Sequence, residues 1–209
     1  MVAHVLCNGG CNAVDKAVYE GLQDCNAAMR VASGPKACSF GCMGFGTCVA
    51  ACQFDAIHIN EQGVAEVDKE KCTNCGACRA ACPHHLIVEV PYKQKVFVNC
   101  SNKDKGPAVT KVCANSCIAC GMCERTCKFD AIHVVDGVAR VDYDKCKGCG
   151  MCAQKCPKKI ILFPLKDDPY PPKPVVKPAA PAAKPAAAAA PAAKPEAKAE
   201  EAKPETKAE

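Results

Sequence analysis

The chain has no tryptophan, and only four tyrosines and six phenylalanines among 209 residues. A core so poor in aromatic side chains lacks much of the apolar area that ordinarily drives folding. No apolar run approaches the roughly 18 residues a membrane-crossing helix needs, so no span is expected in this chain. Met1 does not open a basic, apolar leader with a small-residue cleavage site, so no export is expected either. Without export a disulfide framework is not expected, because reducing compartments keep thiols free. What the chain has in excess is sulfur: 21 cysteines, an odd number that cannot pair completely. Metal is what remains for them to hold.

All of the cysteines precede Leu165. The segment 166–209 holds ten prolines, fifteen alanines and fifteen charged residues, with only Tyr170, Val175, Val176 and Thr206 besides. A segment with so little to bury is expected to be disordered, with polyproline II stretches. The remainder carries 19 basic and 15 acidic residues. Its lysines and arginines are scattered singly, and each oxidised 4Fe-4S centre on four thiolates would add a charge of about −2. No nucleic-acid partner is expected.

The cysteine-bearing part repeats itself. Cys42, Cys48 and Cys52 recur 75 positions later as Cys117, Cys123 and Cys127, and Cys72, Cys75, Cys78 and Cys82 recur 74 positions later as Cys146, Cys149, Cys152 and Cys156. Upstream, "VLC" at Cys7 matches "VNC" at Cys100, and Cys38 matches Cys113. Two copies of one unit of about 75 residues follow. In each copy two short strands are expected, "DAIHI" and "VAEVD" around Gly63, then "DAIHV" and "VARVD" around Gly137. One or two helical turns follow in "GACRAAC" and "GMCAQKC", stopped by Pro83 and Pro157. The expected fold is α+β: two tandem bacterial-type bicluster ferredoxin-like units over 1–95 and 96–165, then the tail 166–209.

Three segments carry C-x2-C-x2-C-x3-C: Cys72/Cys75/Cys78/Cys82, Cys117/Cys120/Cys123/Cys127 and Cys146/Cys149/Cys152/Cys156. In such runs three close cysteines grip one cubane and the fourth ligates its neighbour. Zinc also takes C-x2-C pairs, but it has no use for a third cysteine at the same spacing followed by a fourth. Small residues such as Gly76, Gly121, Gly148 and Gly150 let the loop curl. Ile57, Ile59, Ile132 and Val134 are placed to exclude water.

The second copy is therefore expected to hold one cluster on Cys117, Cys120, Cys123 and Cys156, and another on Cys146, Cys149, Cys152 and Cys127. In the first copy Cys72, Cys75, Cys78 and Cys52 make a third. The fourth set has Cys42, Cys48 and Cys82, but Phe45 stands where the middle cysteine should be. Cys38 is expected to supply that corner; a three-iron cluster and an empty site are the alternatives. Four 4Fe-4S clusters are expected in all. Cys7, Cys11, Cys25, Cys100 and Cys113 are left over and read as small buried residues, although a further cluster using Cys7, Cys11 and Cys25 is an open alternative. His58 and His133 read as packing or hydrogen-bonding residues, and His84 and His85 as surface groups near a cluster.

Two strings go beyond generic ferredoxin. "VAHVLCNGGCNA…GLQDCNAAMRVASGPKACSFGCMGFGTCVAACQFDAIHI" and "VPYKQKVFVNCSNKDKG" resemble the B subunit of the Rnf-type ion-translocating ferredoxin:NAD oxidoreductase, in its clostridial and acetogen-like form. The resemblance implies an iron–sulfur protein that accepts electrons from reduced ferredoxin. It would pass them to other subunits of a membrane complex ending at NAD, from the cytoplasmic face and without a span of its own. Members of that family usually begin with a membrane helix and a small iron–sulfur domain, and neither is expected here. A soluble polyferredoxin serving a hydrogenase or dehydrogenase, located in the cytoplasm, is the alternative of the same chemistry. A non-redox metal-binding scaffold is the alternative of a different class. No dinucleotide fingerprint and no nucleophile–base pair is present, so no independent catalytic site is expected.

Overall fold

The computed structural model describes residues 1–104 and 106–164. The expected tail lies outside the described residues.

Each copy folds as a small α+β unit whose first strand closes on its last. In the first, β1 (Val2–Val5) pairs antiparallel with β4 (Ile87–Val90), Val2 opposite Val90 and Val5 opposite Ile87. Between them lie α2 (Thr47–Ala50), the hairpin β2 (Ile57–Ile59) and β3 (Ala65–Val67), and α3 (Ala77–Ala81). The second copy repeats this order with β5 (Phe97–Val98) on β8 (Ile161–Leu162), and with α5 (Met122–Thr126), β6 (Ile132–Val135), β7 (Val138–Val141) and α6 (Met151–Lys155) between. Two further helices, α1 (Cys25–Arg30) and α4 (Pro107–Val112), precede the first cysteine run of their copies.

The local sequence accounts for these pieces. Asp136 and Gly137 both take positive φ, 51° and 80°, between the paired Val135 and Val138. That is the two-residue Asp-Gly turn whose twist suits a hairpin. Gly76 and Gly150 stand left-handed before α3 and α6, at φ 84° and 73°, turning the cysteine loop into the helix. Cys82 and Cys156 end those helices in extended backbone, as expected of a residue before proline.

Helices of four to six residues cannot stand alone in water, so something else must organise the unit. In the first copy Val5, Ile57, Val64, Leu86 and Ile87 pack with Cys48 and Cys78; in the second Val98, Ile132, Val138 and Ile160 pack with Cys117, Cys123 and Cys152. In both, sulfur is part of the core. A third apolar group joins the copies, Val2 and Val90 lying against Phe97 and Leu162. Polar contacts cross the same junction: His4 Nε2 lies 2.8 Å from Asn99 Oδ1, and Ser101 Oγ donates to the Leu6 carbonyl at 3.0 Å.

Candidate metal centres

The cysteines gather into four groups in the two copies. Cys117, Cys120, Cys123 and Cys156 line a small hollow with Val134, Ile160 and Ile161. Cys127, Cys146, Cys149 and Cys152 line another, with Ile132, Val141 and Val96. In the first copy Cys78 stands beside Cys72, Cys52 and Cys75. In each half, then, the fourth cysteine of one run crosses to the other run's group, as the extended backbone at Cys82, Cys127 and Cys156 permits.

The fourth group differs from expectation. Cys42, Cys48 and Cys82 line a small hollow, and the cysteine that joins them is Cys25; Cys38 is not on that wall. Cys38 lies instead with Cys7, Cys100 and Cys113. The sequence contains the reason. Phe45 packs on Tyr19, ring centroids 5.3 Å apart, and so anchors the segment that carries Cys25. Asp24 caps α1, accepting from Ala27 N–H at 2.8 Å and from Thr47 Oγ1 at 2.8 Å, while Thr47 Oγ1 accepts the Cys25 N–H at 2.7 Å. This chain of bonds fastens Cys25 to the residue that precedes Cys48. The signal that could have found it was the coincidence of one missing cysteine with one spare cysteine just after an N-cap aspartate.

The donor set suits a cluster. Burial pushes Cys48 up to about 12 and Cys123 and Cys152 up to about 11 as thiols, with neighbouring cysteines adding to the rise. Four such groups cannot all ionise around an apolar void without a cation to balance them. Backbone N–H groups already aim at some of the sulfurs: Ala3 at Cys72 and Ala131 at Cys127, each 3.4 Å away. Among the described residues, no three His, Cys, Asp or Glu side chains are grouped as a metal-ion site would group them. Cys48 lies near Cys78, and Cys123 near Cys152, so the two groups within each copy are adjacent. Cys75, Cys120 and Cys149, the middle cysteines of the complete runs, are exposed.

The expected water-excluding residues divide among the voids: Ile59 lines that of Cys25, Cys42, Cys48 and Cys82, Val134 that of Cys117, and Ile132 that of Cys146. Ile57 is buried in the first core. His58 and His85 are exposed, and His133 bonds Glu124 Oε1 at 3.2 Å. His84 departs from expectation. It lines the Cys82 void, with Nδ1 2.7 Å from the Gly41 carbonyl.

A 4Fe-4S dicluster domain family matches residues 37–86 and 116–160, and a second 4Fe-4S dicluster family matches 71–131. Both cysteine-bearing halves of the chain thus match 4Fe-4S dicluster domain models. Two ferredoxin-type dicluster domains of mixed helix and strand carry 4Fe-4S clusters as their cofactors. Over 161 residues, 77% of this chain, it is 49% identical to the B subunit of the Na(+)-translocating ferredoxin:NAD(+) oxidoreductase complex of Acetobacterium woodii, covering 48% of that protein. Over 142 residues, 68% of this chain, it is 46% identical to the B subunit of the proton-translocating ferredoxin:NAD(+) oxidoreductase complex of Clostridium ljungdahlii, covering 50% of it. Over 143 residues, also 68% of this chain, it is 41% identical to the B subunit of the ion-translocating oxidoreductase complex of Methanosarcina acetivorans, covering 54% of it. The resemblance to that B-type family read from the sequence therefore holds. The chain spans about half the length of these relatives. Among the described residues, no helix is long and apolar enough to cross a membrane.

Proposed function

We propose that this chain is the iron–sulfur electron-transfer portion of an ion-translocating ferredoxin:NAD oxidoreductase, accepting electrons from a reduced ferredoxin and delivering them to other subunits of a membrane complex on its cytoplasmic side. Residues 1–95 and 96–165 are its two working halves. Cys117, Cys120, Cys123 and Cys156 ligate one cubane; Cys127, Cys146, Cys149 and Cys152 a second; Cys52, Cys72, Cys75 and Cys78 a third; and Cys25, Cys42, Cys48 and Cys82 a fourth. The observation that carries the reading is the pairing of cysteine groups in each copy, with one cysteine of each complete run exposed.

Bound cubanes supply one-electron transfer at low potential. The polypeptide does the rest. Val134, Ile132 and Ile59 keep water from the cluster walls, and the N–H groups of Ala3 and Ala131 stabilise negative charge on Cys72 and Cys127. Exposed Cys75, Cys120 and Cys149 bring cluster edges to the surface, where a protein donor or acceptor can approach.

Anaerobically purified protein is expected to show visible absorption that bleaches on adding a catalytic amount of reduced ferredoxin with its reducing system. Detergent-solubilised membranes are expected to yield other subunits of the complex when the tagged chain is captured. A chain that ferredoxin fails to reduce, or that captures only soluble dehydrogenases, refutes the assignment.

A further inference from the structure

The cysteines outside the four groups are not scattered. Cys7, Cys38, Cys100 and Cys113 are all buried, between 5% and 9% exposed. Cys113 has Cys7, Cys38 and Cys100 as charge neighbours, and Cys7 is a neighbour of Cys38 and of Cys100 as well. A β-carbon built on Gly9 would lie 3.4 Å from Cys113 Sγ and 3.6 Å from Cys7 Sγ, so a bare glycine lets the two copies' sulfurs come together there.

Their hydrogen bonds follow one rule. The N–H of the residue two positions on donates to each sulfur: Gly9 to Cys7 at 3.4 Å, Phe40 to Cys38, Asn102 to Cys100 and Asn115 to Cys113. Further donors come from Cys42 N–H to Cys7 at 3.3 Å, Cys117 N–H to Cys100 at 3.4 Å and Asn102 Nδ2 to Cys38 at 3.6 Å. Small buried thiols packed for volume need no such shell of donors. A shell of N–H donors around four clustered, buried sulfurs suits thiolates bound to a positively charged centre.

The arrangement is also symmetric. Cys7 follows β1 as Cys100 follows β5, and Cys38 and Cys113 are 75 positions apart, as are the donors Cys42 and Cys117. Each copy thus contributes two sulfurs and one extra backbone donor, and the second copy adds Asn102 Nδ2. The copies are held in place around the site by Ala114 N–H to the Asn12 carbonyl and Val14 N–H to the Val112 carbonyl, both 2.9 Å.

We infer that Cys7, Cys38, Cys100 and Cys113 ligate a fifth 4Fe-4S cluster, shared by the two ferredoxin-like halves and relaying electrons between them. The inference builds on the electron-transfer reading above. The site joins the two ends of the wire. Its Cys7 takes an N–H from Cys42 of the first copy's group, and its Cys100 takes one from Cys117 of the second copy's. A cluster held by Cys7, Cys38, Cys100 and Cys113 would supply one-electron transfer between the two halves, accepting one electron from the reduced side for each one passed on. Five groups of four account for twenty of the 21 cysteines and leave Cys11 alone.

The test is metal and acid-labile sulfide on the full chain, purified and reconstituted anaerobically. About twenty iron and about twenty sulfide per chain are expected, at four of each per cubane. Cys38→Ser and Cys113→Ser should each lose about one fifth of the iron and one electron paramagnetic resonance signal, while Cys11→Ser keeps the full complement. About sixteen iron in the unmutated chain overturns the fifth cluster and leaves the four-cluster reading intact. One zinc per chain that disappears in Cys38→Ser likewise overturns it. Iron well below sixteen refutes the underlying reading as well. Because the unmutated chain's stoichiometry decides, misfolding of a variant cannot rescue the inference.

Discussion

If Cys25 takes the corner that Phe45 leaves open, the two positions should trade. Cys25→Ser removes one sulfur of the Cys25, Cys42, Cys48 and Cys82 group, and should lower bound iron by about four per chain, or leave three iron there if the cubane survives without one corner. Phe45→Cys alone should leave iron unchanged, because the group already has four sulfurs. It forfeits the contact with Tyr19, ring centroids 5.3 Å apart, at about 1 kcal/mol beyond the lost burial. The double variant Cys25→Ser with Phe45→Cys restores an unbroken C-x2-C-x2-C over Cys42 to Cys48 and should recover the missing iron. Phe45→Cys should not rescue Cys38→Ser, whose sulfur faces Cys7 and Cys113 instead. Iron and sulfide per chain, with signal counting by electron paramagnetic resonance, decides the matter. Full iron in Cys25→Ser, or rescue of Cys38→Ser by Phe45→Cys, would show that the fourth corner is Cys38 and that the reasoning from the void is wrong.

Three further outcomes follow from single contacts. Thr47→Val strands the Cys25 N–H and half of the Asp24 cap, a loss of about 1–3 kcal/mol, and should hasten bleaching of one cluster by chelators. Gly150→Ala puts a β-carbon 2.6 Å from Phe163 Cδ1 at a φ of 73°, so it should lower the urea midpoint for loss of the visible spectrum, whereas the equivalent change at Gly63, with open space around it, should cost less. His4 is held down to about 4 from 6.5, first by burial and further by Lys69, against the raising effect of its bond to Asn99. The unfolded chain therefore takes up a proton before the folded one, and the stability present above pH 6.5 is lost as pH falls toward 4. At pH 5 the loss is about 2 kcal/mol, at 1.36 kcal/mol per pH unit. Between pH 7 and pH 5 the urea midpoint should therefore fall further in the unmutated chain than in His4→Gln, and equal falls would refute the assignment.

Much of the fold was legible because it is set by local chemistry. The hairpins follow from alternating Ile and Val around Gly63 and around Asp136–Gly137, and the helix ends from Pro83 and Pro157. The cysteine groups of the complete runs were readable because a C-x2-C loop constrains where its sulfurs can go. Cys25 was not, since nothing within 13–37 repeats elsewhere in the chain. Its position depends on contacts made at a distance: the Tyr19–Phe45 stack, the Asp24–Thr47 bond, and the closure of the segment's base by Ala37 N–H on the Val14 carbonyl at 2.7 Å.

The expectation of Cys38 at the fourth corner weighed nearness along the chain above the repeat, whereas Cys25 is the cysteine that lines the hollow with Cys42, Cys48 and Cys82. Cys38 is only four residues from Cys42, yet its partner in the repeat is Cys113, and the second copy completes both of its ferredoxin groups without Cys113. A residue whose counterpart is surplus to those groups is, by the same symmetry, surplus in the first copy. What Cys38 and Cys113 share is the two-residue step to a donating N–H, at Phe40 and Asn115, and Cys7 and Cys100 share it too. The two pairs, Cys7 with Cys38 and Cys100 with Cys113, lie together where the copies meet. The missing corner of the fourth group then had to come from a residue outside the repeat, and Cys25, with no counterpart in the second copy, is such a residue.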